Sequence, residues 1–378
     1  MLTYFLINEY FVNMKQKDHI HITFGKRLQQ ARKMEGYSLR SLSEKMDKLV
    51  SYNALDRYEK GVMMPSGEVL QALSRVLNRP MDFFFRSMEL ELKKIEFRKR
   101  SSLSKRAEQA ILERSRDFFE RYTEIEDLLG ENISFENPLD TPYTDTPQKA
   151  ESQADNLRQK WKLGSVPIPN IHELLEDNGI KVHEVETEDD RFDGFSADTD
   201  LGPVVVVSKK LDNNLLRKRM TLVHELAHII LDIPDSLSHK EKEAITSRFA
   251  GAILLPKDAF GREFGKHRDA ISLGELIEMK FQFGASIWAI MYRARQLGWI
   301  TEAVFKRFCS AASKWRSEKK EPGDDEYFDH GLSHETNSRF RQLVYRGVAE
   351  GEISVSKGAD LLEISLGAFR KGFRELYE

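Results

Sequence analysis

The sequence predicts a mainly α protein with a small β-sheet, of the α+β class. Most stretches between glycines and prolines place apolar side chains at the three- and four-residue spacing of helices. The run from Gly202 to Ser208 is instead mostly valine, which is the composition of a buried strand, and a second strand is predicted over residues 180–186. At 378 residues the chain is too long for one ordinary core, so two or three domains are expected.

Net charge and cysteine content limit the classes of protein to which the chain can belong. The net charge is only −3, so any nucleic-acid contact must come from a local basic surface. The single cysteine, Cys309, excludes an intramolecular disulfide and a multi-cysteine metal site, and it fits a reducing compartment. The sequence shows neither a signal peptide nor a run of about 18 apolar residues, so a cytoplasmic protein without a membrane partner is expected.

Residues 24 to 77 show the pattern of a compact helical domain. Ser38 and Ser51 occupy N-cap positions of two short helices joined by the turn 47–50. Two helices at this spacing form a helix-turn-helix, whose second helix enters the major groove of DNA with its first residues facing the bases. The candidate base readers are Tyr52, Asn53 and Asp56, and the candidate phosphate contacts are Ser51, Arg57 and Lys60.

The span from Phe24 to Asn78 resembles the Xre/Cro-repressor family of helix-turn-helix domains. The resemblance is most specific in the segment R-Y-E-K-G-x-x-x-P, which runs from Arg57 to Pro65. It implies sequence-specific DNA binding, usually by a homodimer on a palindromic site. The alternative is that this domain now binds protein.

Two further segments are expected to be helical. Residues 104–129 have the pattern of one long charged helix, which would serve as a spacer or a dimerisation arm. The stretch 135–147 is rich in proline, threonine and aspartate and is expected to be a loop. Residues 340–373 show short helical patterns, which suit a further helix-turn-helix-like fold or an element that packs against the rest of the protein.

The segment His224-Glu225-Leu226-Ala227-His228 has the pattern H-E-x-x-H. Residues four apart lie on one face of a helix, so the imidazoles of His224 and His228 can bind one metal ion while Glu225 lies beside it. Apolar residues on both sides predict a largely buried helix, in which unpaired polar groups would be costly. In a hydrolase of this kind the metal activates water, and Glu225 takes its proton and passes it to the leaving amine. The alternative is that these are ordinary histidines of a helix.

A catalytic zinc site needs a third protein ligand. The candidates that follow in the chain are Asp232, His239, Glu241 and Glu243. Asp232 lies two helical turns from His224, so it better suits a contact to a ligand than ligation itself. Spacing alone does not choose between Glu241 and Glu243. The donor that would stabilise an oxyanion could be His239, Arg248 or Tyr292, and the sequence favours none of them.

Residues 193–210, 217–232 and 243–256 together resemble the ImmA/IrrE family of metallopeptidases. That family carries a glutamate six residues before a Phe-Ala pair, and the pair Phe249-Ala250 makes this glutamate Glu243. The resemblance therefore implies an HExxH zincin-like metallopeptidase domain with zinc as its cofactor. Its implied site consists of the zinc ligands His224, His228 and Glu243 and the general base Glu225.

The chain departs from that family at three positions. Thr246 and Ser247 stand where the family usually has Ala followed by Asn or Asp, and Asp232 stands where histidine is common. These departures concern residues around the ligands rather than the ligands themselves. Two imidazoles and one carboxylate would also suit Mn2+ or Fe2+ in place of Zn2+.

These patterns predict a chain of five segments and a combined function. The segments are an N-terminal extension (1–20), a helix-turn-helix DNA-binding domain (21–86), a helical linker (87–140), an ImmA/IrrE-like metallopeptidase domain (141–315) and a C-terminal helical segment (316–378). The predicted function is transcriptional regulation through DNA, combined with zinc-dependent endopeptidase activity on a regulatory protein such as a repressor or an antitoxin-like protein. The alternative is a DNA-binding repressor whose peptidase-like domain is only a sensor or a dimerisation unit. The presence of Glu225 favours the enzyme, because a structural metal site needs no base beside it.

Overall fold

The computed structural model describes residues 19–86, 90–97, 103–318, 320–324, 335–336 and 339–374. The predicted N-terminal extension, residues 1–20, lies almost entirely outside these ranges. The chain divides into two compact units, each assembled from separate stretches. Unit 1 comprises Met1–Glu91, Ser101–Gly130 and Leu343–Glu378, and unit 2 comprises Leu92–Arg100 and Glu131–Gln342. The five segments inferred from the sequence remain a prediction.

The fold is mainly helical with one small sheet, as predicted. The helices are, in chain order, α1 (19–34), α2 (Leu39–Lys45), α3 (Tyr52–Glu59), α4 (Gly67–Val76), α5 (Lys105–Leu129), α6 (Pro147–Lys160), α7 (Ile171–Asp177), α8 (Leu215–Ile230), α9 (His239–Leu254), α10 (Lys257–Phe264), α11 (Leu273–Phe283), α12 (Ile287–Gln296), α13 (Glu302–Ala311), α14 (Ser313–Glu318), α15 (Arg339–Ala349), α16 (Val355–Leu361) and α17 (Leu366–Arg374). The strands are β1 (Lys93–Phe97), β2 (Lys181–Val185), β3 (Gly194–Thr199) and β4 (Gly202–Ser208). Over the described ranges, no helix combines the length and the apolar character needed to cross a membrane.

Helices α1 to α4 of unit 1 surround a compact apolar core. Each contributes at least one side chain that is fully buried: Phe24 and Leu28 from α1, Leu42 from α2, Leu55 from α3 and Leu73 from α4. Burying a side chain of this size stabilises the folded state by about 1.5–3 kcal/mol. The apolar periodicity of the sequence therefore determines how these four helices pack.

Helix α5 is joined to the rest of unit 1 by ion pairs. Its Glu120 pairs with Arg27 of α1, and both side chains are buried. Its Arg121 lies 2.9 Å from the carboxylate of Glu363, which stands between α16 and α17 and also pairs with Arg79, beyond α4. Helix α5 and the last helices of the chain are thus integral parts of unit 1.

The sheet of unit 2 has the strand order β1-β3-β4-β2. Strand β4 pairs antiparallel with β3 and parallel with β2, so that Val205 lies between Ser196 and Val182. Because β4 is central, the side chains of its valine run are buried on both faces, as the composition predicted. Strand β1 pairs antiparallel with β3 and was not predicted, because its sequence lies in a lysine-rich tract without the alternation of a half-buried strand.

Helix α8 connects the sheet of unit 2 to its helical layer. It packs on strands β3 and β4 and against α9, which in turn packs against α6. Leu222, Val223 and Leu226 of α8 and Ile245 and Phe249 of α9 are at most 1% exposed and belong to one core. The two helices that carry the predicted metal ligands are therefore fixed by the same apolar core.

Candidate metal centre

Helix α8 holds the H-E-x-x-H segment in its last two turns. It begins at Asn214, whose side-chain oxygen accepts a hydrogen bond from the backbone N–H of Arg217 at 3.1 Å, and it ends where Leu231 adopts an extended conformation. His224 and Glu225 are fully buried, whereas His228 is partly exposed. The segment is thus held rigidly inside unit 2, with one of its histidines towards the surface.

The imidazoles of His224 and His228 face each other. Their Nε2 atoms are 3.2 Å apart. A tetrahedral zinc ion with Zn–N bonds of about 2.0–2.1 Å keeps its ligand nitrogens about 3.3 Å apart. The two side chains are therefore already at the separation that one bound ion requires.

Helix α9 brings a carboxylate to this pair of histidines. The Oε1 atom of Glu243 is 3.7 Å from Nε2 of His224, and the ligand atoms of His224, His228 and Glu243 all lie within 4.8 Å of one another. Two imidazoles and one carboxylate are a common ligand set for catalytic zinc. The donor set and its spacing therefore fit a metal ion.

The other candidates for the third ligand have different positions. Glu241 accepts hydrogen bonds from the hydroxyl and the backbone N–H of Ser238, at 2.6 and 2.9 Å, and closes a capping box at the start of α9. These hydrogen bonds keep the pKa of Glu241 below its usual value. His239 and Asp232 are exposed, and the backbone of Asp232 pairs with the loop at Tyr143. Of the two glutamates that spacing left open, the crossing of α8 and α9 brings Glu243 beside the two imidazoles, whereas Glu241 caps α9.

Glu225 is held by a residue that sequence reasoning missed. The hydroxyl of Ser196 on β3 donates a hydrogen bond to Oε2 of Glu225 at 3.0 Å. Gly194 permits this approach, because a Cβ atom there would lie 2.8 Å from the carbonyl oxygen of Val206 and 3.0 Å from Cγ2 of Thr221 on α8. The sequence did contain a signal for this contact. Gly194 and Ser196 are two residues apart, so they lie on the same face of β3, the face towards α8.

The three candidates for oxyanion stabilisation have different surroundings. Arg248 of α9 donates hydrogen bonds to the carboxylate of Glu151 on α6 and to the backbone oxygen of Gln296, the latter at 2.9 Å, so its guanidinium joins three helices. Tyr292 of α12 is 44% exposed, and His239 is exposed at the start of α9. The structure thus gives Arg248 a clear packing role.

Helices α2 and α3 of unit 1 form the predicted helix-turn-helix. Asp47 and Lys48 in the connecting turn have positive φ angles of 51° and 59°, which turn the chain sharply between the helices. The hydroxyl of Ser43 donates to the backbone oxygen of Val50 at 2.6 Å and closes the turn. Ser51 then caps α3 by accepting the backbone N–H of Ala54 at 3.2 Å.

The predicted DNA-contacting residues lie together on α3 and its ends. The side chains of Ser51, Tyr52, Asn53, Arg57 and Lys60 are exposed, and that of Asp56 is half-buried. Asp56 and Lys60 form an ion pair of 2.6 Å. Sequence reasoning missed Arg40 of α2, whose guanidinium lies 5.3 Å from the centre of the Tyr52 ring. This contact orients Tyr52 at the first turn of α3.

Comparison with known proteins finds two families in the chain. Residues 28–84 match the family described as helix-turn-helix, and residues 175–295 match the family described as IrrE N-terminal-like domain. Uncharacterized HTH-type transcriptional regulators of Sinorhizobium medicae (strain WSM419) and Rhizobium meliloti (strain 1021) are each 34% identical over 73 residues, which is 19% of this chain and 51% of each relative. The chain thus spans about half the length of these curated relatives, and no solved structure gives a significant match. The chain combines an Xre-like helix-turn-helix domain of transcription regulators with an IrrE/ImmA-like domain of a metallopeptidase family.

Proposed function

We propose that the protein regulates transcription by binding DNA and is also a zinc-dependent endopeptidase that cleaves a regulatory protein, such as a repressor or an antitoxin-like protein. One observation carries the enzymatic half. Donor atoms of His224, His228 and Glu243 lie within 4.8 Å of one another, on two helices, beside the buried carboxylate of Glu225.

The residues of this group divide the catalytic work. His224, His228 and Glu243 would hold the ion, which when bound supplies a Lewis acid that polarises the scissile carbonyl and makes water more acidic. Glu225 takes the proton of the attacking water and delivers it to the nitrogen of the leaving amine. The hydroxyl of Ser196 fixes the orientation of this carboxylate during both transfers. Burial of Glu225 lowers the local dielectric and strengthens these interactions.

The ligand set favours a catalytic site over a structural one. Structural zinc sites are usually closed by four protein ligands, whereas three protein ligands leave a position open for water or substrate. The group found in the described part of the chain contains three such residues. Partial exposure of His228 and Glu243 leaves this open position a route to solvent.

The exposed face of α3 supports the DNA-binding half of the proposal. Tyr52 and Asn53 stand in its first turn, where a helix in the major groove meets base edges. Arg57 and Lys60 extend the same exposed surface with positive charge, which suits phosphates. We also propose that the protein binds DNA as a homodimer on a palindromic site.

The decisive experiment compares the wild type with Glu225→Gln in cells that lack the native gene. New protein N-termini are mapped by mass spectrometry, and the metal content of both purified proteins is measured. We expect cleavage products only with the wild type, and about one zinc per chain in both proteins. Identical N-termini at equal zinc content would refute the peptidase and favour the repressor whose peptidase-like domain is a sensor. His228→Ala serves as the variant that loses metal.

A further inference from the structure

A depression of about 250 Å³ lies on the surface of unit 2 between three helices. Its walls include Met220 of α8, Ser247 and Gly251 of α9, and Trp288, Tyr292 and Gln296 of α12. Ser247 and Gly251 are four residues apart on α9, and Trp288, Tyr292 and Gln296 follow one another at intervals of four residues on α12. Residues at this spacing lie along one face of a helix, so the depression is a groove bounded by three helix faces.

The metal ligands lie on two of the same helix faces. Met220 stands four residues before His224 on α8, and Ser247 stands four residues after Glu243 on α9. Four residues of α-helix correspond to a rise of about 6 Å, or roughly one turn. On both helices, the residue that lines the depression therefore lies one turn from the residue that carries the ligand atom. The depression therefore lies about one helical turn from His224 along α8 and about one turn from Glu243 along α9.

The lining of this pocket is apolar. Trp288 and Tyr292 of α12 contribute aromatic rings to it, and Met220 of α8 contributes a thioether. The guanidinium of Arg293, which also borders the pocket, donates hydrogen bonds to Glu151, one of them of 2.6 Å, and its side chain is 1% exposed. Its charge is thus neutralised inside the protein and does not attract an acidic group into the pocket.

Gly251 keeps the floor of the pocket open. A Cβ atom there would lie 3.7 Å from Cδ of Arg293 and from Oε1 of Gln296, which is ordinary contact distance. A Cβ atom at this position is therefore accommodated by its neighbours. Because Gly251 lines the pocket, it is the position at which a larger side chain is expected to fill it.

We infer that this pocket binds one large aliphatic or aromatic side chain of the substrate, at a position next to the bond that is cleaved. The inference rests on the proposed peptidase function. The apolar lining indicates the chemistry of the side chain, and the position of the pocket about one helical turn from the metal ligands indicates its place in the substrate. The volume is below the range of about 300–1,000 Å³ typical of drug-sized ligands, which suits a single side chain.

Binding can be tested without turnover. Glu225→Gln protein is labelled with [13C-methyl]methionine, the Met220 signal is assigned with Met220→Leu, and N-acetyl-leucine amide, N-acetyl-phenylalanine amide and N-acetyl-aspartate amide are added at millimolar concentrations. We expect a saturable shift of the Met220 methyl signal with the leucine and phenylalanine amides and none with the aspartate amide. A Met220 methyl signal that does not shift on addition of the leucine and phenylalanine amides overturns the inference.

Two glycine variants distinguish filling of the pocket from a general effect of placing leucine at a helical glycine. Gly251→Leu, in the same Glu225→Gln background, is expected to weaken binding of the leucine amide at least about tenfold. Gly274→Leu is the matched control, because Gly274 is also helical and a Cβ there meets nothing within 4 Å. Equal weakening in both variants contradicts the inference.

A second readout uses cleavage sites. Wild-type sites are expected to share a large apolar residue at one position beside the cut, and Gly251→Leu is expected to shift this preference to small residues. Cleavage with an unchanged preference overturns the inference and leaves the peptidase proposal intact. A shift of Met220 in a protein whose wild type cleaves nothing overturns the peptidase proposal and supports the pocket as a binding site for apolar side chains.

Discussion

Arg219 and Glu335 form an ion pair in which both side chains are fully buried, although 116 residues separate them in the chain. The carboxylate of Glu335 also accepts the backbone N–H groups of Ile171 and His172, at 2.7 and 2.9 Å, and so caps α7. Arg219 lies on α8, five residues before His224. The pair therefore ties α8, the helix that carries the candidate metal ligands His224 and His228, to a distant stretch of unit 2.

Removing this carboxylate should destabilise unit 2. We expect Glu335→Ala to lower the free energy of unfolding by about 3–5 kcal/mol, because it leaves the charge of Arg219 buried without its partner. Urea denaturation followed by circular dichroism measures the change. Glu318→Ala is the control, since Glu318 is an exposed glutamate whose nearest ion-pair partner lies 3.8 Å away. A loss below about 1 kcal/mol, as for a surface pair, would show that the buried pair is not needed.

The two glutamates of α9 should differ in their effect on metal binding. Glu243→Gln is expected to weaken zinc binding at least about 100-fold, beyond the 10–100-fold typical of residues that only contact a ligand. Glu241→Gln changes the same chemical group two residues earlier and should leave zinc affinity unchanged, since Glu241 caps the helix. Competition with a chromophoric chelator gives both affinities. Equal affinities would remove Glu243 from the ligand set.

Ser196 should affect turnover without affecting the metal. A hydrogen bond to a charged group contributes about 1.5–3 kcal/mol, so Ser196→Ala is expected to lower kcat roughly 10- to 100-fold, with KM and zinc content unchanged. The reason is that Glu225 loses the donor that fixes its orientation. The measurement is peptide cleavage at saturating substrate, with exposed Ser310→Ala as control. A parallel loss of zinc would show that Ser196 supports the metal instead.

The stability of unit 2 should depend on the protonation of His172. This imidazole is fully buried between Glu176 of its own helix and Glu184 of β2, and Glu184 also pairs with Lys218 of α8. Burial opposes protonation, but the two carboxylates outweigh it and raise the pKa of His172 from 6.5 to about 9. The folded state therefore gains about 3 kcal/mol that is fully present below pH 6.5 and disappears as the pH rises through 9.

A comparison of two proteins isolates this contribution. Unfolding free energies of the wild type and His172→Gln are measured in urea from pH 6 to pH 10. We expect the wild type to be more stable at low pH, and the difference to shrink as the pH rises from about 6.5 to about 9. A difference that stays constant over this range would mean that the imidazole is not protonated in the folded protein.

Variants of the helix-turn-helix should distinguish residues that read bases from residues that bind phosphates. Arg57→Ala is expected to weaken binding to all DNA sequences and to reduce the slope of log K against log salt by about one unit. Asn53→Ala should instead cost about 1–3 kcal/mol on the preferred site and relax its sequence preference. Both are measured by fluorescence anisotropy on sites selected from random DNA. Arg75→Ala on α4, outside the two-helix motif, is the control, and an equal effect of all three variants would contradict the assignment.

Features encoded by local spacing were predicted well from the sequence. Ser38 and Ser51 do cap helices, because a capping hydroxyl needs only the backbone N–H groups two or three residues ahead. The pairing of His224 with His228 follows from helical pitch alone. These relationships span at most four residues, so the sequence contains all the information they need.

Features that depend on tertiary packing were not accessible in this way. Ser196 reaches Glu225 only because β3 lies against α8, and Glu243 is distinguished from Glu241 only by the crossing of α8 and α9. Strand β1 is formed by pairing with β3 across about 100 residues, which its lysine-rich sequence does not signal. In each case the partner lies on another element, so no periodicity in the sequence records the contact.

The ion pairs of Glu363 with Arg79 and Arg121 can form only late in the synthesis of the protein. Ribosomes build a chain from its first residue, and Glu363 emerges only after all of unit 2 has been made. A nascent chain that has reached Gly130 already contains both arginines, yet it lacks this acidic partner and helices α15 to α17. The core of helices α1 to α4, which carries the predicted DNA-reading face, therefore needs nothing that is made later, whereas helix α5 gains its ion pair with Glu363 only after the IrrE-like domain has been synthesised.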